Sequence, residues 1–251
     1  MKFLFKYFLS AIIILFLFSC TKESADSASL NSASSDVGKG GSLARFTIVG
    51  NYLYAVDNYF LYTYNITNPA NPIKTNSVNV SFDVETIYPY KNRLFIGSAT
   101  GLYIYSIENP GIPSKMGEAR HLRSCDPVVA TDSIAYVTLK GTRCGPAEDG
   151  LYIYDIKNLF QPLLKTTIKV PTPEGLGLQD SVLYVCCNSN GLKIFNINNP
   201  YLPVERKVLK DANYKDVIPY GNLLICYVTT GILLYDISKP DDPVSLKLIA
   251  N

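Results

Sequence analysis

The sequence predicts an all-β fold, a five-bladed β-propeller of four-stranded antiparallel blades. Three observations predict it: a short apolar line recurs five times, turn signals flank most of its copies, and no segment shows the periodicity of a helix. Small sheets repeated at a fixed spacing, each packed on its neighbours, form a propeller. A β-sandwich would not need the fixed spacing, and an open β-solenoid would use shorter repeats.

The recurring line is typified by GLYIYDI at residues 150–156. A period near 41 residues corresponds to one supersecondary unit, so five copies predict five blades. One longer spacing, of 49 residues, predicts a loop insertion in the third unit. The last aromatic residues of the five copies are Tyr64, Tyr105, Tyr154, Phe195 and Tyr235. The predicted propeller occupies residues 42–251, with repeats at about 42–82, 83–124, 125–171, 172–212 and 213–251.

Each repeat carries the signals of four short strands. Turns such as Asn190-Gly191 join the second strand to the third, and we expect positive φ at both turn residues. Prolines such as Pro110 and Pro113 end the third strand, because proline cannot donate to a sheet ladder. The third strand is apolar on both faces, which predicts a neighbouring sheet on each side. In the second repeat the predicted strands are 86–90, 93–98, 101–107 and 115–120.

Residues 1–19 have the pattern of a secretory signal. Lys2 and Lys6 precede an apolar run at 8–18 that is too short to span a bilayer. The end of this run, followed by Cys20, resembles the lipobox of bacterial lipoproteins, and the resemblance implies that Cys20 carries the lipid. A plain signal peptide with an incidental cysteine is the alternative. Residues 20–41 are rich in Ser, Ala and Gly, which predicts a flexible tether that spans roughly 25 Å.

The line LYIYDI, followed by a proline-containing turn, resembles the LVIVD repeat of propeller-like bacterial surface and periplasmic lipoproteins. The resemblance covers all five repeats. It implies a propeller anchored by lipid in a bacterial cell envelope, in the outer membrane, the periplasm or at the surface, and it implies no established activity. The chain has no tryptophan, which argues against the WD type of propeller repeat.

The charge balance excludes one class of partner. Without Lys2 and Lys6, 21 basic residues stand against 21 acidic residues. Nucleic-acid binding needs a clustered basic excess, so nucleic acid is not an expected partner. The expected partners are the membrane, through the lipid, and a protein or glycan ligand. We expect a monomeric domain without a cofactor.

The cysteines divide into two groups. Cys125 and Cys144 occur in the third repeat, in loops that antiparallel topology places on the same rim, and disulfides persist in exported proteins. They predict a bridge that pins the insertion at 140–149. The second strands of other repeats contain Cys186, Cys187 and Cys226, predicted to be buried free thiols because facing sheets stand about 10 Å apart. With His121 as the single histidine, no zinc site is expected.

Two sets of polar residues are candidate sites. Residues near the insertion make one rim chemically distinct, and loops on rigid scaffolds commonly carry recognition; a lid that plugs the channel mouth is the alternative. Carboxylates near the entrances of the first strands could hold a cation, bind a sugar or cleave one, or they could cap their strands. The rim set is Arg120, His121, Arg123, Asp126, Arg143, Glu148 and Asp149. The carboxylates at the channel mouth are Asp83, Glu85, Glu174 and Asp216.

These observations favour a non-enzymatic binding or scaffold module. No nucleophile elbow and no zinc-protease motif occurs in the chain, so no catalytic residue is assigned. The alternative is an envelope hydrolase that cleaves glycans with rim carboxylates, and a third hypothesis is an assembly subunit with exposed aromatic residues. A hydrolase predicts an open channel with two carboxylates about 5–10 Å apart. A binding module predicts a blocked channel and an exposed apolar patch on one rim.

Overall fold

The computed structural model describes residues 40–121, 127–141 and 148–250. Twenty strands form five four-stranded antiparallel sheets that are arranged in a ring, and the fold is a five-bladed β-propeller, as predicted. None of the described residues belongs to a helix long and apolar enough to cross a membrane.

The strands of each blade follow one another in sequence, from the channel outward. Blade 1 contains Phe46–Val49 (β1), Tyr52–Val56 (β2), Phe60–Asn65 (β3) and Ile73–Asn79 (β4), and blade 2 contains Val84–Tyr90 (β5), Arg93–Ser98 (β6), Gly101–Ser106 (β7) and Ser114–Arg120 (β8). Blade 3 contains Val128–Ala130 (β9), Ile134–Leu139 (β10), Gly150–Asp155 (β11) and Leu163–Lys169 (β12). Blade 4 contains Leu176–Gln179 (β13), Val182–Cys186 (β14), Leu192–Asn196 (β15) and Val204–Leu209 (β16), and blade 5 contains Tyr214–Tyr220 (β17), Leu223–Val228 (β18), Gly231–Asp236 (β19) and Val244–Ala250 (β20).

The four strands predicted for the second repeat are confirmed to within two residues at each end. The turn before the third strand differs from the expectation. Gly191 has a φ of 95°, but Asn190 is not among the described residues with positive φ, so the expectation of positive φ at both turn residues was wrong. Glycine is required there because the fourth strand passes close by: a Cβ on Gly191 would lie 2.1 Å from the carbonyl oxygen of Leu209.

The fourth strand of every blade has a β-bulge beside the recurrent aromatic residue of the third strand. In every blade the register between the third and fourth strands shifts directly before this residue, as between Ile153 and Tyr154. The extra residue lies in the fourth strand, as Lys165 does in blade 3, so the bulge bends that strand. The aromatic side chain keeps the direction set by regular alternation along the third strand. In blades 2 to 5 the side chain lies buried against the preceding blade, and the residues concerned are Tyr105, Tyr154, Phe195 and Tyr235.

Four apolar clusters hold adjacent blades together, one each between blades 1 and 2, 2 and 3, 3 and 4, and 4 and 5. The third strands of blades 2 to 4 supply both sides of these clusters. In blade 3, for example, Ile153 packs against blade 4 while Tyr154 packs against blade 2. This confirms the prediction that a strand apolar on both faces is covered by a sheet on each side.

The junction between blade 5 and blade 1 differs from the other four. Tyr227 of blade 5 is 52% exposed and Phe46 of blade 1 is 63% exposed. Leu234, at the position equivalent to the buried Ile153, is also partly exposed. No apolar cluster of the described residues joins these two blades.

The same side-chain truncation should destabilise the protein by different amounts at the two kinds of junction. We expect Ile153→Ala to lower the free energy of unfolding by about 3 kcal/mol, because it opens a cavity in a closed interface. Leu234→Ala should cost less than half as much. Urea unfolding of dilute protein measures both values, and equal costs would show that blades 5 and 1 are packed as tightly as blades 3 and 4.

Candidate functional site

The channel contains two cavities, separated by the chain that enters blade 1. A cavity of about 210 Å³ is bordered by Gly40, together with Tyr90 and Pro219 near the ends of the first strands. A second cavity of about 370 Å³ is bordered by Leu43 and by residues that precede the first strands, such as Pro173. We call this second space the entrance cavity. Residues 40–43 therefore cross the channel between its two ends.

Residues 41–43 are fastened to blade 5 by one carboxylate. The Ser42 hydroxyl donates to Asp216 Oδ1 (3.1 Å), and the Leu43 amide donates to Asp216 Oδ2 (3.3 Å). The Leu176 amide of blade 4 donates to Ser42 Oγ (2.7 Å). A Cβ on Gly41 would lie 2.0 Å from Asp216 Oδ2, so the close approach requires glycine at that position.

The same enclosure perturbs the titration of Asp216. Burial raises its pKa to about 6, and hydrogen bonds from the amides of Val217 and Leu43 and from the Ser42 hydroxyl oppose this rise without cancelling it. Asp216 was predicted to line the channel mouth, either as a ligand-binding or catalytic carboxylate or as a cap on its own strand. In the structure it accepts from the Val217 amide of its own strand (2.9 Å) and from residues 42 and 43.

The entrance cavity is organised around Glu174, which precedes β13. Its Oε1 accepts from Lys140 Nζ (2.5 Å), Asn188 Nδ2 (3.3 Å) and Lys215 Nζ (3.4 Å). The Thr138 hydroxyl holds the backbone of Glu174 through its carbonyl oxygen (2.7 Å). Glu85 of blade 2 also lines the cavity. The site thus offers two ammonium groups, an amide and two carboxylates, at the ends of strands that the blades hold in place.

The structure brings together two of the four predicted channel-mouth carboxylates, Glu85 and Glu174. Asp83 is not among the described residues that line the cavity. It occupies a turn with a φ of 54°, and its carbonyl oxygen accepts from the Ala99 amide (2.9 Å). A ring of equivalent carboxylates does not form, because the four residues occupy different positions relative to their first strands.

The structure does not bring the described residues of the predicted rim set together into one site. Arg120 lies on the outer strand of blade 2, where its Nε donates to Glu118 (2.7 Å). The backbone amide of His121, the next residue, donates to the Thr100 carbonyl oxygen (3.4 Å). Asp149 accepts from the amides of Gly141 (3.0 Å) and Thr172 (2.9 Å), so it fastens backbone at the insertion. Glu148 is exposed, and its carbonyl oxygen accepts from Tyr152 (3.1 Å).

The remaining predicted residues lie outside the described residues. These are Cys20, Arg123, Cys125, Asp126, Arg143 and Cys144. Two described residues beside them, Pro127 and Lys140, both line the entrance cavity. The loop into the first strand of blade 3 and the loop after its second strand therefore start from the same rim, as topology predicted, and the disulfide stays a prediction.

The hydrogen-bond donors of the site were not predicted from the sequence. Lys140, Asn188 and Lys215 stand at strand ends that the antiparallel topology directs to the same rim as Glu174. Acid–base and metal chemistry pointed only to the carboxylates at these strand ends, so the lysine and asparagine residues there were not assigned to the site. A search for every polar residue at the entrance ends of the strands could have found all three.

The three described cysteines are free and buried, as predicted. Cys186 and Cys226 lie in the cluster between blades 4 and 5. Cys187 lies in the cluster between blades 3 and 4, one residue beyond the end of β14 and not within the second strand, where it was predicted. Burial raises the pKa of the Cys187 thiol to about 12 and raises that of Cys186 as well. Within the described ranges, no group of three or more His, Cys, Asp or Glu residues could hold a metal ion.

Comparison with known proteins gives the fold and no family. No family model matches the chain, and no curated protein matches it. The chain is similar to solved structures of the β-propeller type. They include a protein from Lactobacillus plantarum (11% identity, TM-score 0.63, 80% of this chain and 68% of that chain) and a functionally unknown protein from Desulfotomaculum acetoxidans (14%, 0.63, 80% and 67%).

A third similar structure is AztD from Citrobacter koseri (13% identity, TM-score 0.58, 82% of this chain and 64% of that chain). The chain thus spans 64% to 68% of the length of these three proteins. At such low identity the likeness extends to architecture alone.

The raised pKa of Asp216 predicts a pH-dependent contribution to stability. Below pH about 4 the carboxyl is protonated in both the folded and the unfolded chain. Between pH about 4 and about 6 only the folded chain keeps the proton, so this contribution to stability falls as the pH rises. We expect wild type to lose stability relative to Asp216→Asn across that window. Chemical unfolding at several pH values measures this difference, and a pH-independent difference would contradict the assignment.

The buried thiols predict a count of reactive groups in residues 21–251. Thiolates react with disulfide reagents, and burial keeps these thiols protonated. We expect Ellman's reagent to label none of Cys186, Cys187 and Cys226 in the native protein and all three after denaturation. With the Cys125–Cys144 bridge present, reduction should raise the denatured count from three to five. Five thiols before reduction would exclude the bridge.

Proposed function

We propose that this chain is a non-enzymatic binding module of a bacterial cell envelope, anchored by a lipid on Cys20, whose entrance cavity receives a polar group of a protein or glycan partner. The observation that carries the proposal is the convergence of Lys140, Lys215 and Asn188 on Glu174 within a cavity of about 370 Å³.

The chemistry of the cavity suits a partner with both acceptors and donors. Each lysine ammonium has three donor hydrogens, so one bond to Glu174 leaves others for a ligand. Glu85 and Glu174 supply acceptors. A sugar that carries a carboxylate, or a peptide segment with an acidic side chain, would meet the lysines with its charge and the carboxylates with its hydroxyl or amide hydrogens.

The lipid anchor rests on the lipobox and LVIVD resemblances of the sequence.

Glycan hydrolysis is the second candidate, favoured by the presence of Glu85 and Glu174 in one cavity. Two features favour binding over hydrolysis. Residues 40–43 cross the channel, which a hydrolase was expected to keep open. In addition, one oxygen of Glu174 already accepts from three donors, whereas a general acid must present its own proton to the leaving group.

Binding can be tested with residues 21–251 on arrays of acidic glycans and acidic peptides, followed by calorimetry with each hit. We expect Lys140→Ala and Lys215→Ala each to weaken binding about tenfold or more, because each removes a charge-assisted hydrogen bond. Lys91→Ala is the matched control, since Lys91 pairs with Asp132 and borders the other cavity. Equal loss in the control variant would contradict binding at the entrance cavity, and cleaved glycan in the reaction would favour the hydrolase.

Anchoring can be tested separately in the full-length chain. We expect wild type to incorporate a labelled fatty acid and to fractionate with membranes, and Cys20→Ser to do neither. Label retained by the Cys20→Ser variant would contradict the assigned lipid site.

A further inference from the structure

Blades 5 and 1 each present one apolar sheet face that the rest of the described chain leaves partly uncovered. We call the two surfaces the blade 5 open face and the blade 1 open face. The blade 5 open face consists of Ile225, Tyr227, Ile232 and Leu234. The blade 1 open face consists of Phe46, Ile48, Leu53 and Tyr64.

The blade 5 open face has the positions that form a closed interface elsewhere. Ile225 pairs with Leu234 as Tyr136 of blade 3 pairs with Ile153. Tyr136 and Ile153 are fully buried against blade 4, and the Tyr136 hydroxyl donates to the Pro200 carbonyl of that blade (3.1 Å). In blades 1 to 4, therefore, this face of the sheet packs on the next blade.

The blade 1 open face is likewise the counterpart of covered faces. In blade 2 the residues equivalent to Phe46, Leu53 and Tyr64 are Ile87, Leu94 and Tyr105. These three lie buried in the cluster shared with blade 1. Phe46 is 63% exposed, whereas Ile87 is 0% exposed. The surface that fits the blade 1 open face is therefore the face that each blade of this repeat packs against the next blade.

Within one copy, the hydrogen bonds described between residues 41–43 and blade 5 lie at the channel edge, where Ser42 and Leu43 bind Asp216. The apolar side chains farther out stay partly exposed. Exposed apolar faces of this kind mark interaction sites on soluble proteins.

We propose that the occupant of each open face is a second copy of this chain, with the blade 1 open face of one copy packed on the blade 5 open face of the other. The argument is continuity with the four closed interfaces, which unite the same two kinds of face. A second copy carries both of them. The contact is head-to-tail, because two different surfaces meet.

This inference is independent of the proposed ligand site, since the entrance cavity is lined by residues outside both open faces. It departs from the monomer expected from the sequence. The sequence pattern alone predicts that every repeat packs between a preceding and a following repeat. The structure adds that blades 1 and 5 each keep one such face uncovered.

Light scattering coupled to size exclusion tests the proposal with residues 21–251 over a wide range of concentrations. We expect the wild-type mass to rise above that of a monomer with increasing concentration. Phe46→Glu and Tyr227→Glu should each be monomeric, because each places a charge in one open face. Phe160→Glu is the control, since Phe160 is exposed on blade 3 outside both faces, and it should associate like wild type.

The head-to-tail geometry makes a sharper prediction. Phe46→Glu keeps an intact blade 5 open face and Tyr227→Glu keeps an intact blade 1 open face. An equimolar mixture of the two variants should therefore form a one-to-one complex, although each variant alone is monomeric. Circular dichroism and melting curves confirm that the variants are folded.

Two outcomes would overturn the proposal. The first is wild-type protein that stays monomeric at every concentration, which would leave the open faces to a different partner. The second is a mixture of the two variants that stays monomeric while wild type associates, because association would then use another surface or a symmetric contact.

Discussion

The structure depends on one constraint: a strand that is apolar on both faces must be covered on both sides. The third strand of each blade imposes it, as Leu151, Ile153 and Tyr154 illustrate with burial on blades 4 and 2. A sheet built around such a strand cannot fold alone, and the requirement passes from each blade to the next. A ring is the arrangement that can satisfy the constraint at every blade. In this ring it is satisfied fully in blades 2 to 4 and only on one face in blades 1 and 5.

The sequence predicted this architecture because its cues are local and repeated. The spacing of the aromatic residues gave the number of blades, and the apolar stretches gave the strands. The β-bulge in each fourth strand left no distinct signal, because the extra residue, Lys165 in blade 3, is of an ordinary type for an exposed edge strand. The incomplete junction was equally hidden. Ile225 and Leu234 are as apolar as their buried equivalents, and only the three-dimensional arrangement distinguishes them.

The candidate site was predicted only in part, for a related reason. Glu85 and Glu174 were identified from their positions at strand entrances, which topology gathers on one rim. Asp216 also stands near the entrance of its first strand, but residues 41–43 occupy the space beside it and bind its oxygen atoms. No pattern in a segment of Gly, Ser and Leu indicates that it will cross a channel. The competition between a ligand and the chain itself for a polar group is decided by the path of the backbone.

The bond between Ser42 and Asp216 also bears on how the molecule is made. It joins residues 174 positions apart, the first folded segment and the last blade. Contacts of such long range form slowly, because the ordering of the intervening chain must come first. Blades 1 to 4 can stack in the order of the sequence, each on its predecessor. Ser42 can accept from Leu176 as soon as blade 4 is in place, but its bond to Asp216 cannot form until blade 5 arrives. Lys215 of the entrance cavity also belongs to blade 5, so the cavity is complete only when the last blade has folded.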